Sequence, residues 1–269
     1  MKYKLLAFDL DDTLLNEEHK ISRRNVDTLR RAAGEGLIIT IATGRMFRST
    51  LPYARQLGIN VPLITYHGAL VRKAAGGPDI WHRPVPLDAA VQVAEYAVDH
   101  GYHLNLFIDD AFCIPEINEY TRAYQSLSNV EFKIIGNPAE YLRREKTPPT
   151  KMNIVSFSGM EEIMERVADE FIGRVTVTQA RPEFLEITHL EATKGIALRH
   201  LAEAEGVHRD EVVAIGDSLN DISMLEYAGT GVAVANAREE VKQVAQVITL
   251  SNLEDGVAHF IENHVFPAS

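Results

Sequence analysis

The sequence predicts an α/β protein, a Rossmann-like core with a parallel sheet, interrupted by an inserted α+β domain. Three observations carry this expectation. Apolar, β-branched runs at residues 3–8, 37–42 and 212–215 each stop at a polar loop, as strands buried on both faces do. Helical patterns alternate with such runs at both ends of the chain, the order of a parallel sheet covered by helices on both sides. Between the two ends the rhythm changes, which places the core at residues 1–82 and 190–269 and the insertion at 83–189.

Taken in order, the strand at 3–8 leads into a helix with Ser22 as N-cap. Val26, Leu29 and Ala33 share one face of that helix, and Gly34 and Gly36 close it. The strand at 37–42 completes a βαβ unit. A second helix at 49–57 stops at Gly58, and an apolar run follows at 61–66. In the insertion a helix at 88–100 precedes strands at 104–108 and 112–114, with Asp109-Asp110-Ala111 as their hairpin turn. A helix within 118–127, a strand at 152–157, a helix at 161–171 and strands at 175–178 and 184–187 follow. After Asp217 come a helix at 222–227, a strand at 231–235, a helix at 239–245 and a strand at 247–250.

Composition narrows the function. A formal charge of −11 over 269 residues argues against a nucleic-acid partner, because phosphate backbones are met by clustered basic faces. No stretch approaches the roughly 18 to 20 consecutive apolar residues of a membrane span, and the first residues lack a signal-peptide layout. The single cysteine, Cys113, has no internal disulfide partner and reads as a small core residue. The expected address is the cytoplasm. An acidic chain repels anionic metabolites at long range, so a phosphate site has to be assembled locally from Lys, Arg, backbone N–H groups and a metal ion.

The chemistry-bearing residues stand where strands end, the ligand-binding rim of a parallel sheet. Asp9-Leu10-Asp11-Asp12-Thr13 follows the first strand. Alternation aims Asp9 and Asp11 at one mouth, one carboxylate to attack and one to exchange protons, although the same acids could cap a helix. Thr43-Gly44-Arg45 supplies a hydroxyl, a glycine that lets backbone come close and a guanidinium, parts that hold phosphoryl oxygens or form a plain glycine turn. Gly216-Asp217-Ser218-Leu219-Asn220-Asp221 adds two carboxylates and an amide. With Asp9 and Asp11 these make an oxygen-rich site suited to Mg²⁺, or else an acidic surface turn. Lys194 stands at a helix start, where an ammonium and the helix N-terminus would meet the same phosphate.

Order and content of these segments resemble the haloacid dehalogenase superfamily over the whole chain. Its four motifs match Asp9-Leu10-Asp11-Asp12-Thr13, Ala42-Thr43-Gly44-Arg45, Lys194-Gly195 and Gly216-Asp217-Ser218-Leu219-Asn220-Asp221. The insertion resembles the large α/β cap of the Cof-type phosphatases, which implies a Mg²⁺-dependent phosphatase of sugar phosphates or other small phosphorylated metabolites. The resemblance implies Asp9 as nucleophile and Asp11 as acid and then base. It implies Asp9, the Asp11 carbonyl and Asp217 as metal ligands, and Leu10 N–H, Thr43, Gly44 N–H, Lys194 and Asn220 around the phosphate. Asp221 would orient Lys194 or a metal-bound water.

The chain departs from the family where Asn-Gly-Ala is usual, reading His67-Gly68-Ala69, and in the stretch His189-Leu190-Glu191-Ala192-Thr193. His67 would contact substrate or lie at the surface, and Glu191 would add charge near the entrance. Arg45 and Arg181 are the remaining recognition candidates. A phosphotransferase or phosphomutase would share the same residues and pass the phosphoryl group to another hydroxyl. A signalling module would carry it on Asp9 without turnover. The sequence assigns no physiological substrate and no oligomeric state.

Overall fold

The structure, a computed structural model, describes residues 2–58, 60–128 and 130–266. The chain opens with β1 (Leu5–Phe8), α1 (Arg23–Gly34), β2 (Ile38–Ala42), α2 (Phe47–Leu57), β3 (Pro62–Thr65), β4 (Leu70–Lys73) and β5 (Trp81–His82). There follow α3 (Leu87–Asp99), β6 (His103–Ile108), β7 (Ala111–Ile114), α4 (Glu119–Ser128), β8 (Phe132–Ile134), α5 (Pro138–Glu145), β9 (Lys151–Val155), α6 (Met160–Glu170), β10 (Thr176–Arg181) and β11 (Phe184–Thr188). The chain continues with α7 (Lys194–Ala204), β12 (Val212–Gly216), α8 (Ile222–Tyr227), β13 (Thr230–Ala233), α9 (Glu239–Val244), β14 (Val247–Ile248) and α10 (Gly256–Phe260). These elements form two compact units, Met1–Trp81 with Thr193–Ser269, and His82–Ala192. Among the described residues no helix is long and apolar enough to cross a membrane.

The first unit is built on one sheet of order β14-β13-β12-β1-β2-β3-β4-β5. The pairings from β14 through β3 are parallel, and β4 turns back antiparallel on β3. β1 and β12 are buried along their whole length, which is why they read as uninterrupted apolar runs. The order runs outward from β1 in both directions, through β2 on one side and β12 on the other, so β1 marks the switch point where such sheets bind ligands.

Local chemistry sets the helices. Ser22 Oγ accepts the N–H of Asn25 and starts α1, and Val26, Leu29 and Ala32 form its buried stripe, with Ala33 half-buried. α2 begins at Phe47, before the expected Ser49, because the hydroxyls of Ser49 and Thr50 donate back to the carbonyl of Met46 inside the first turn. The helix ends at Gly58, which takes the left-handed conformation.

The second unit carries a sheet of order β10-β11-β9-β6-β7-β8, antiparallel except between β7 and β8. Asp109 and Asp110 both adopt positive φ, 50° and 59°, and make a two-residue hairpin turn between β6 and β7, matching the twist of the strands they join. One face of the sheet, with Leu104, Leu106, Met152, Ile154, Leu185 and Ile187, packs under residues of α3, α5 and α6. The other face bears Phe107, Phe112 and Phe184 beneath Tyr124 of α4.

In the first unit α7 lies so close to α8 that a Cβ on Gly195 would stand 2.2 Å from the carbonyl oxygen of Ser223. A backbone atom cannot swing aside as a side chain can. Gly195→Ala is therefore expected to lower stability by about 1–3 kcal/mol, read as a shift of the urea midpoint at constant slope. An unchanged midpoint would show that the two helices part without penalty.

Candidate active site

Three loops and one helix start converge at the end of β1. The N–H of Asp9 donates to Ile215 at 3.0 Å, so the ladder between β1 and β12 runs on into the site and fixes the Asp9 backbone. Immediately after it the carbonyl of Leu10 accepts from Thr13, Leu14 and Leu15, and Asp12 sits at φ 58°, which curls the chain into a tight turn. That turn brings the Thr13 hydroxyl to Asp217 Oδ1 at 2.7 Å, across 204 residues of sequence. The loop after β2 is laced to the loop after β3. Thr43 N donates to Ile64, His67 N to the Thr43 carbonyl and Tyr66 N to the Arg45 carbonyl.

After β12 the chain folds back so that Asp221 Oδ2 accepts the N–H groups of Asp217 and Ser218, at 3.0 and 2.9 Å. This return needs a bare backbone at Gly216, where a Cβ would stand 2.6 Å from Cβ of Asp221. Lys194 is the first residue of α7, held there by Thr193, whose hydroxyl accepts the N–H of Ile196.

The centre of the site is the buried ammonium of Lys194, 2.7 Å from Asp9 Oδ1 and 2.6 Å from Asp221 Oδ1. Burial works against its charge, but Asp221 and Asp9 outweigh this and hold its pKa above the usual lysine value. Asp9 moves the other way from a free carboxylate. Burial, with Asp221 and Asp217 nearby, raises its pKa well above the ordinary value despite the Lys194 ammonium. Asp217 is pushed up to about 6, by burial first and then by the charge of Asp221, against hydrogen bonds from the hydroxyls of Thr13 and Ser218.

Asp9, Asp217 and Asp221 each offer a carboxylate oxygen within 4.8 Å of the others, all buried. Three carboxylates face one ammonium, so negative charge is in excess, and an all-oxygen donor set is the kind a hard cation takes. These residues fit a divalent metal ion. Asp221 has both oxygens committed to Lys194 and to backbone N–H groups, which makes it the least available of the three as a ligand.

Of the other sequence candidates, Asp11 lies outside this group of side chains. The Arg45 fork grips both its oxygens, Nε to Oδ2 at 2.8 Å and Nη2 to Oδ1 at 2.5 Å, while Arg45 Nη1 reaches the Tyr53 hydroxyl. Burial opposes ionisation of Asp11, but Arg45, with His19 and Lys194, brings its pKa below the ordinary value. Asn220 donates from Nδ2 to Nδ1 of His67 at 3.2 Å. The His67 ring lies over Gly44, where a Cβ would meet its Cε1 at 2.3 Å. Tyr66 and His67 both have positive φ, 53° and 59°, so this contact is made by a constrained backbone. Thr43 is buried, with Oγ1 accepting the Arg45 N–H, and Leu10 is buried beneath the loop. Arg181 is exposed at the bulged end of β10 in the second unit.

Sequence reasoning gave no separate role to Thr13, Ser218, Tyr53 or His19. Thr13 and Ser218 both clamp Asp217, and both stand inside the acidic strand-end motifs, so a hydroxyl one to four residues after a strand-end acid is the available signal.

A family model described as haloacid dehalogenase-like hydrolase matches residues 6–261. The chain is similar to phosphatase YwpJ of Bacillus subtilis (strain 168), 31% identical over 97% of this chain and 99% of that protein. It is also similar to 5-amino-6-(5-phospho-D-ribitylamino)uracil phosphatase YitU of the same organism, 31% identical over 97% of each chain. Among solved structures it matches a haloacid dehalogenase-like hydrolase from Bacteroides thetaiotaomicron with a TM-score of 0.89 at 30% identity, covering 98% of this chain and 100% of that one.

The raised pKa of Asp217 has a stability consequence without added metal. Between the ordinary carboxylate value near 4 and about 6, the folded state binds more protons at this residue than the unfolded state does, so its contribution falls as pH rises. In chelator, the stability of the wild type relative to Asp217→Asn is expected to decline by about 2 kcal/mol from pH 4 to pH 7. Urea titrations of both proteins across that range measure it, and a flat difference would mean that Asp217 ionises as it does in water.

Proposed function

The chain belongs to the haloacid dehalogenase-like hydrolases, and from that premise we propose that it is a Mg²⁺-dependent phosphatase of small phosphorylated metabolites, sugar phosphates or similar esters. The observation that carries this reading is the buried Asp9 carboxylate, held through Oδ1 by Lys194 beside Asp217 at the switch point of a parallel sheet. Relatives named as phosphatases support it, and one of them is named for a substrate whose phosphate sits on a ribityl chain.

In this reading Asp9 attacks phosphorus through Oδ2, forming an Asp9–phosphorus bond as the ester oxygen leaves. Asp11 gives its proton to that oxygen, then takes one from the water that attacks the aspartyl-phosphate. Inorganic phosphate departs and the Asp9 carboxylate is restored. Lys194 compensates charge as the two anions meet, and Thr43, the N–H groups of Leu10 and Gly44, and Asn220 hold the phosphoryl oxygens. Asp9, Asp217 and the carbonyl of Asp11 would hold Mg²⁺, which when bound supplies further positive charge at the phosphoryl group. Asp221 orients Lys194.

Arg45 fits a different part from substrate recognition alone. Its fork favours the carboxylate form of Asp11, the form required for water activation, so donation to the leaving group requires Arg45 to loosen its hold. His67 positions Asn220 and covers Gly44. The second unit acts as the cap that selects the alcohol half of the ester, and Arg181 and Glu191 belong to it.

Release of inorganic phosphate from a panel of sugar phosphates, nucleotides, pyridoxal phosphate and an aryl phosphate tests the reading. Multiple turnover that needs Mg²⁺, disappears in chelator and falls at least about a thousandfold in Asp9→Asn is expected. Preferential transfer to added sugar acceptors would identify a phosphotransferase. Full activity in Asp9→Asn would remove the mechanism.

A further inference from the structure

The turn that follows Asp9 is held by two uncharged side chains from the far end of the chain. Within the turn the Leu10 carbonyl accepts three backbone N–H groups, whereas the carbonyls of Asp12 and Leu15 are met by other loops. Asn236, in the loop after β13, donates from Nδ2 to the Asp12 carbonyl at 2.7 Å. Asn252, in the loop after β14, donates from Nδ2 to the Leu15 carbonyl at 2.8 Å. The two asparagines are themselves joined, since the Asn252 N–H donates to Asn236 Oδ1 at 3.0 Å. The same loop reaches the segment after β12. Two residues beyond Asn236, the Arg238 N–H donates to the Asp217 carbonyl at 3.0 Å.

Asp12 is where this hold matters. Its φ of 58° is left-handed, a conformation that an aspartate keeps only against its preference for negative φ. Relaxation of that angle rotates the peptide between Asp11 and Asp12, and the oxygen of that peptide is the Asp11 carbonyl. A bond to the next carbonyl, that of Asp12, opposes the rotation directly. Asn236 is exposed, so its bond competes with water and adds little to global stability, and its worth lies in orientation. Residues 236–238 therefore fix backbone at two places beside the acids that fit a divalent ion, at Asp12 and at Asp217.

We propose that Asn236, backed by Asn252, is a positioning residue for the metal site: it clamps the turn so that the Asp11 carbonyl is presented to a divalent cation together with Asp9 and Asp217. Asn236 touches neither metal nor substrate in this proposal and acts through the Asp12 backbone. A turn already held in its binding conformation gives up less freedom when the cation arrives, so the clamp raises affinity without supplying a ligand. The inference rests on the Mg²⁺-dependent phosphatase reading, in which Asp9, Asp217 and the Asp11 carbonyl hold the metal.

Calorimetric titration of Mg²⁺ into the full chain, freed of metal by chelator and dialysis, tests it beside urea midpoints. Asn236→Ala is expected to weaken Mg²⁺ binding about tenfold. Asn236→Asp keeps an acceptor for the Asn252 N–H but loses the donor to Asp12, so binding weakens here too, although the added negative charge alone would strengthen it. Tyr3→Phe serves as the control. It removes a buried hydrogen bond to Thr230, at the opposite ends of the strands from the acids, so its urea midpoint falls while its Mg²⁺ affinity stays within about twofold of wild type. Unchanged affinity in Asn236→Ala, or affinity in Asn236→Asp equal to or tighter than wild type, would overturn the clamp and leave the phosphatase reading standing. An equal loss in Tyr3→Phe would trace the effect to general loosening and overturn it as well. A wild type that binds no Mg²⁺ removes the metal from the phosphatase reading, and the clamp with it.

Discussion

The site depends on one buried cation. Lys194 joins the carboxylate at the end of β1 to the carboxylate that closes the loop after β12. Without it, Asp9, Asp217 and Asp221 would stand as three like charges in a medium that screens them poorly. Its place is fixed by backbone constraints that reach well beyond the charge. Thr193 caps α7, Gly195 lets that helix meet α8, and Gly216 lets Asp221 return to the strand end. The ammonium, the two glycines and the acids form one mechanical unit, and the carboxylate chemistry is possible only because the others hold it.

Most of the core fold was legible because parallel strands buried on both faces leave continuous apolar runs, and polar loops follow at their ends. β1, β2 and β12 were readable for that reason. The antiparallel β4 and the short β5 were not, since four residues with a mixed burial pattern carry little periodicity. In the second unit, β8 and α5 were missed for different causes. The three residues of β8 are mostly exposed and show no alternation, whereas α5 had a readable start. Asn137 accepts two backbone N–H groups there and Pro138 follows as the first helical residue.

The acids and Lys194 were visible as residue types at strand ends. The partners that decide their protonation were not, because pairings such as Arg45 with Asp11 or Thr13 with Asp217 arise from loops that meet only in three dimensions. The arrangement also divides labour among carboxylates of identical chemistry. Asp221 is committed at both oxygens to Lys194 and backbone, Asp11 is gripped by a guanidinium, Asp217 takes one hydroxyl on each oxygen, and Asp9 takes a single ammonium contact on Oδ1. Environment separates their roles more sharply than sequence position does.

The insertion of one unit into the other has a consequence for how the protein is made. β1 pairs along one edge with β2 soon after synthesis, but its other edge waits for β12, about 200 residues later. At ribosomal rates of roughly 5–20 residues per second the wait is on the order of 10–40 s. During that interval the second unit, continuous in sequence, has all its strands synthesised before β12 emerges. The β1 edge meanwhile presents unpaired backbone N–H and C=O groups flanked by wholly apolar side chains, the combination that invites pairing with other chains. The catalytic end of the sheet is thus the last part of the molecule to be assembled, and the nascent chain passes through its most association-prone state just before it gains its active site.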